Sequence, residues 1–171
     1  MKLEITLAVE RRLGDPNIKI IIDDYLTLVD GPAQECYNFD VQLLEEHHDL
    51  KIVHYGKTIE DHVMSEDGTI AIDKHVEIKS ITMDGNILGE ELWSGKFYPV
   101  YMHKAVDEPY FISPNLYLGH NGTWIMEFAC PVAQWLINLR KPGPKYMASI
   151  FKTNQDILDS AKDYFRDLPD V

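Results

Sequence analysis

Three groups of residues in this chain carry side chains that could do chemistry. The first is a run of acids, Glu60, Asp61, Glu66, Asp67 and Asp73, inside the single connection 56–75. Calcium takes about six to eight oxygens from carboxylates and loop carbonyls, and one such loop can supply several. Asp61, Asp67 and Asp73 are the candidate calcium ligands, in a spacing unlike the EF-hand's. Set against them is a polar loop whose acids stay solvated, as charged stretches commonly do. The second group is aromatic: Trp93, Phe97, Tyr98, Tyr101, Tyr110, Phe111 and Tyr117. Flat rings at loop positions stack on sugars or anchor protein partners. Gly and Pro surround Trp93 and Tyr98, which makes those two the candidate ligand-binding residues. Core or edge packing accounts for the others.

The third group is the histidines and cysteines. His47 and His48 are adjacent, and neighbours on an extended backbone point to opposite faces, so they chelate poorly. They read as solvated loop histidines, and His54 as a satisfied histidine inside a sandwich. There is no His-Glu-x-x-His and no Cys-x-x-Cys. Cys36 and Cys130 cannot make a disulfide framework and fit small buried hydrophobes better than a catalytic thiol. No Gly-x-Ser-x-Gly or glycine-rich phosphate loop is present. Asn121-Gly122-Thr123 matches the glycosylation sequon, and its simplest role is a turn before a strand. No catalytic residue is assigned, and a non-catalytic protein is expected.

The elements that must position these residues are mostly strands. Leu3, Ile5, Leu7 and Val9 alternate with Glu4, Thr6 and Ala8, the period of a half-buried strand. Ile18, Ile20 and Ile22 repeat the pattern after the turn Gly14-Asp15-Pro16-Asn17. Asp23-Asp24 breaks that run and Tyr25–Val29 resumes it. Tyr37, Phe39, Val41 and Leu43 share one parity, as do Leu50, Ile52 and His54; the spacing predicts an antiparallel hairpin of these two runs across a short acidic loop. Val76, Ile78 and Ser80 alternate with Glu77, Lys79 and Ile81 before Asp84-Gly85 closes the strand. Residues 116–129 read as one further strand, with Trp124, Met126 and Phe128 on one face. Many short strands with turns about every ten residues predict an all-β fold, an antiparallel β-sandwich of jelly-roll type.

The C-terminal part changes character. Val132, Trp135, Leu136 and Leu139 have helical spacing, which fits a short helix or a ragged last strand. Lys141-Pro142-Gly143-Pro144-Lys145 reads as a linker. Thr153 to Asp156 opens a helix with a capping-box-like pattern. Ile157, Ala161, Tyr164, Phe165 and Leu168 form its apolar stripe and Pro169 ends it. A lone helix of about fifteen residues is marginal in water, so this amphipathic helix must dock on something. The expected division is a sandwich at 1–139, a Pro/Gly linker at 140–152 and a docking helix at 153–171.

With 171 residues, 28 acids and 16 bases, the formal net charge is −12. A chain this acidic lacks the cationic footprint of a nucleic-acid binder. The apolar content of 45% is enough for a packed core. No apolar run reaches the ~18 residues of a membrane span. The opening Met-Lys-Leu-Glu-Ile-Thr-Leu reads as a strand, and no signal peptide is expected. Residues 35–91 hold 14 acids against 4 bases, so the middle of the chain carries nearly all the excess. That block either offers carboxylates to cations or is a solvated face.

The segments His48–Tyr55 and Asp73–Gly85 resemble the paired strands of calcium-dependent xylan-binding modules, β-sandwich carbohydrate-binding domains. The likeness spans roughly residues 3–85 and places Asp73 at a family loop aspartate. Gly56-Lys57 stands where that family has Asn-Asp, and Lys74-His75 where it has Arg-Asn. Residues 3–139 more closely resemble small proteins encoded by tailed bacteriophages. That likeness rests on Tyr55-Gly56-Lys57, on Ile78-x-x-Ile81-x-x-Asp84-Gly85, and on Gly119-x-Asn121-Gly122-x-Trp124 leading to Pro131 and Trp135. It implies a structural or accessory virion protein, tail- or capsid-associated and made in the host cytoplasm, holding virion proteins or copies of itself through its sheet surface and C-terminal helix. The alternative is a calcium-dependent carbohydrate-binding module that recognises a host or environmental glycan.

Overall fold

The structure is a computed structural model and describes residues 1–100 and 111–141. It is an antiparallel β-sandwich. The first sheet holds β1 (Lys2–Val9), β4 (Cys36–Asp40), β8 (Val76–Met83), β9 (Asn86–Ile87) and β11 (Tyr117–Leu118), in the order β11-β8-β1-β4 with β9 also on β8. The second holds β2 (Asn17–Ile22), β3 (Leu26–Pro32), β5 (His47–Tyr55), β10 (Lys96–Pro99) and β12 (Gly122–Ala129), in the order β10-β12-β5-β2-β3. A small hairpin of β6 (His62–Met64) and β7 (Ile70–Asp73) stands apart from both sheets.

Period-two alternation buries one face of each sheet. Leu3, Ile5 and Leu7 of β1 and Val76, Ile78, Ile81 and Met83 of β8 supply one inner face. Ile18, Ile20, Ile22, Leu50, Ile52, Trp124, Met126 and Phe128 supply the other. The alternation of β8 breaks once. Thr6 pairs with Ser80 and Leu7 with Ile78, so Lys79 is the extra residue of a bulge. This shifts the parity and puts Ile81 in the core, where unbroken alternation would have left it opposite Ile78.

One expected pairing and one expected strand are corrected. The run 37–43 does not form a hairpin with 50–55: β4 pairs with β1, while β5 pairs with β2 and β12. Residues 41–46 are a crossover between the sheets. Residues 116–129 are likewise two strands, β11 in the first sheet and β12 in the second, divided at 119–121. A sandwich core needs apolar residues from both sheets, and local alternation does not reveal which sheet a strand joins.

Three single-residue expectations also change. His47 and His48 lie in β5, and the strand's parity puts His48 on the core face, 3% exposed. Cys36 is exposed on edge strand β4, where Tyr37 takes the inward position. Asp23 and Asp24 form the β2–β3 turn at φ 54° and 62°, and Tyr25 belongs to that turn rather than to β3.

The helical alternative holds for the segment after β12. Helix α1 spans Val132–Arg140, with Val132 buried and Trp135 set edge-on to Phe128 at 6.4 Å between ring centres. Two compact units divide within it, Met1–Trp135 and Leu136–Val171. The expected docking helix, with Ile157, Ala161, Tyr164, Phe165 and Leu168, lies outside the described residues, as do Tyr101 and Tyr110. Among the described residues no helix is long and apolar enough to cross a membrane.

Candidate functional site

At one end of the sandwich the connections 56–75 and 119–121 come together around Lys57, and the Glu10 N–H donates to the His75 carbonyl at 3.1 Å. Gly56 leaves β5 at φ 75°, a backbone state that suits glycine. The turn brings the Lys57 side chain, 9% exposed, between the Asp73 carboxylate and the Gly119 carbonyl, and its ammonium donates to both. The other Asp73 oxygen accepts from the Tyr117 hydroxyl at 3.1 Å. The Tyr117 ring packs on His75 at 4.6 Å, and His75 Nδ1 donates to the Asp73 carbonyl at 3.0 Å. Burial, followed by the nearby Asp73 charge, pushes the Tyr117 phenol up to about 12. Gly119 leaves room for the ring, since a Cβ there would lie 2.3 Å from it.

Asn121 joins the same hub to β12. Its Oδ1 accepts from the Lys57 backbone N–H at 2.8 Å, and its Nδ2 donates to the Lys57 carbonyl at 2.8 Å. The sequon asparagine therefore works as a short strand-like clamp on residue 57. His54, in the core beside this clamp, donates from Nδ1 to the His120 carbonyl at 3.0 Å, and burial pushes its pKa below the ordinary histidine value. It is a core histidine in the neutral form at neutral pH.

The structure gives each candidate calcium ligand partners of its own. Asp61 pairs with Lys74 and closes a capping box with Thr58 on the 3₁₀ turn Ile59–Asp61. Burial opposes its charge, yet the Lys74 hydrogen bond and the Thr58 N–H hold its carboxyl below the usual range. Asp67 sits at the tip of the β6–β7 hairpin and accepts from Ser65 Oγ, from the Thr69 N–H at 3.0 Å and from Thr69 Oγ1 at 2.7 Å, which brings its carboxyl to about 2. Asp73 takes Lys57 and Tyr117. The Lys57–Asp73 and Asp61–Lys74 pairs both tie the outgoing arm of 56–75 to its returning arm. Among the described residues, no group of three or more His, Cys, Asp and Glu is arranged to hold a metal ion.

Of the aromatic candidates, Tyr98 lies on β10 and Trp93 on the 3₁₀ turn that precedes it. Leu92 anchors the 3₁₀ turn Glu90–Ser94 in the core and leaves Trp93 54% exposed. Gly95 follows, and a Cβ on it would lie 2.3 Å from the Trp124 indole, so the chain passes that ring only as glycine. Phe97 then turns inward, 1% exposed, and Tyr98 outward. The edge of β10 is met by a bridge from Phe97 to Ile112, with N–H···O distances of 3.0 and 2.8 Å. That bridge carries Phe111, 46% exposed, to Tyr98 at 5.7 Å between ring centres, with Lys96 Nζ 5.4 Å from the Phe111 centre. Sequence reasoning placed Phe111 with the packed aromatics. Its role beside Tyr98 depends on a bridge spanning fourteen residues, for which the sequence carries no signal. On the outer face, register continues from Tyr98 through Thr123, Val53 and Lys19 to Asp30, which accepts from Tyr55 at 2.6 Å.

No family model matches the chain, and no curated protein matches it. A solved structure, the carbohydrate-binding module vCBM60 in complex with galactobiose, is similar over 75% of this chain and 98% of that chain, at 11% identity and a TM-score of 0.46.

Proposed function

We propose that this protein is a non-catalytic, glycan-binding β-sandwich module whose sugar-contacting surface is the aromatic edge of β10. One observation carries the reading: Trp93 and Phe111 remain about half exposed, while the Phe111 ring packs against Tyr98 and Lys96. Rings already packed on one another, as Tyr98 and Phe111 are, lose little freedom when a sugar's C–H face stacks on them. The particle-protein expectation draws on a docking helix outside the described residues, whereas the glycan reading has a described surface behind it. Calcium has no part in it, because the three candidate carboxylates are engaged by side chains of their own.

Stacking that removes about 70 Å² of apolar ring surface from water contributes about 2 kcal/mol, roughly thirtyfold in affinity. Screening the chain on a glycan array, then titrating the best ligand by calorimetry, tests the proposal. Trp93→Ala and Tyr98→Ala should each weaken binding on that scale with the thermal midpoint nearly unchanged, and a chelator should leave binding intact. Absence of any glycan ligand, or full-strength binding by both variants, would reject the surface assigned here.

A further inference from the structure

At the end of the sandwich remote from Lys57, a buried histidine joins the crossover 41–46 to the β2–β3 turn. The His48 side chain is 1% exposed. Its Nδ1 lies 2.6 Å from Asp23 Oδ2, and its Nε2 lies 3.0 Å from the Leu44 carbonyl oxygen. An ionised carboxylate and a carbonyl only accept hydrogen bonds, and a neutral imidazole carries a single N–H. Only the imidazolium can donate at both positions. The neutral ring would set a lone pair against one acceptor in a dry site, where unpaired polar groups are costly.

The surroundings favour the charged ring. Asp23 faces it from the turn and Glu46 from the crossover, both acidic, while β12 presents the Phe128 ring at 5.4 Å. Asp23 is fixed independently: its Oδ1 accepts from the Asp49 N–H at 2.8 Å, its own N–H donates to the Asp49 carbonyl at 3.1 Å, and the Tyr25 hydroxyl lies 3.4 Å from Oδ2. Burial opposes the charge on His48, yet the Leu44 carbonyl and Asp23 raise its pKa above the ordinary histidine value. The two ends of the crossover are held by other bonds, the Val41 N–H to the Met1 carbonyl at 2.9 Å and the Cys130 N–H to the Glu46 carbonyl at 3.1 Å. Its centre is bonded to β5 through His48, and the Leu44 side chain is 71% exposed.

We propose that His48 is a proton switch on this crossover: protonated, it locks Leu44 and the β2–β3 turn together, and deprotonated, it releases the centre of the crossover while both ends stay held. The sign follows from linkage. A raised histidine keeps the lock fully formed below its ordinary value of about 6.5 and loses it as pH rises through the raised value. Beyond that point each pH unit shifts the locked-to-released ratio by up to about tenfold, the limit for one proton. The proposal is independent of glycan binding.

Imidazole 15N NMR and amide-exchange protection factors on the full chain test it between pH 5.5 and 9. Both His48 nitrogens should be protonated at pH 6, and protection of the Glu46 amide, whose N–H donates to the Leu44 carbonyl at 3.0 Å, should fall by up to about tenfold per unit once the ring titrates. His48→Gln should lose that pH dependence, and Asp23→Asn should move the His48 titration downward. A single proton on the ring at pH 6, or protection unchanged across the range, would overturn the proposal. Those two measurements need only the unmodified chain, so they decide the matter even where a variant fails to fold.

Discussion

Replacing Lys57 with methionine keeps the unbranched stem and removes the ammonium. The structure sets the size of the effect. Lys57 and Asp73 are 9% and 16% exposed, and the ammonium also serves the Gly119 carbonyl. In Lys57→Met the Asp73 carboxylate keeps the Tyr117 hydroxyl and loses its cation, and the Gly119 carbonyl loses a donor. Removing one partner of a buried pair costs about 3–5 kcal/mol, because the other charge is stranded. The lower end applies here, since Asp73 keeps some solvent, so the expected loss is about 3 kcal/mol, or roughly 6–12 °C in Tm for a chain of this size. Urea denaturation of Lys57→Met, Asp73→Asn and the double variant closes a cycle. The double variant should be more stable than the sum of the two losses implies by about 1.5 kcal/mol or more, as expected for directly coupled groups. A loss below about 1 kcal/mol in Lys57→Met, or strict additivity, would refute the hub as the clamp on this end of the sandwich.

Two more predictions follow from close contacts at the same elements. Gly95→Ala puts a methyl group into the Trp124 indole, and overpacking of that kind costs about 1–3 kcal/mol; calorimetric Tm and Trp fluorescence should both report it, and an unchanged midpoint would show that the chain passes the ring with room to spare. Ultraviolet titration should find one tyrosine ionising near 12. Asp73→Asn should bring Tyr117 part of the way back towards 10, since burial, the larger cause, remains when the charge is gone.

Much of the sandwich was legible in the chain because strand parity is a local property. Ile18, Ile20 and Ile22 alternate with polar or solvent-facing neighbours, and all three are buried. Asp84-Gly85 was readable for a similar reason, since φ values of 48° and 76° suit a two-residue turn at that dipeptide. The bulge at Lys79 was not legible, because an extra residue in β8 has meaning only against the register of β1. The predicted hairpin of 37–43 with 50–55 went wrong for the same reason. Two alternating runs joined by a short connection fit one sheet or two, and the core decides.

The candidate site divides along the same line. Exposure of Trp93 could be read from its Gly- and Pro-rich surroundings, and the acids of 56–75 were visible as a block. Their partners were not: Lys57 meets Asp73 across 16 residues, Tyr117 reaches it across 44, and Asn121 clamps residue 57 across 64. The sequence by itself determined that this chain forms short antiparallel strands with a buried apolar face and an acidic middle third, because alternation and charge are carried by neighbours. Only the tertiary structure decided that Asp61 and Asp73 turn towards lysines, that His48 faces two acceptors, and that Phe111 joins Tyr98. Ion pairing and hydrogen bonding act over a few ångströms, and the fold sets which distant residues come that close.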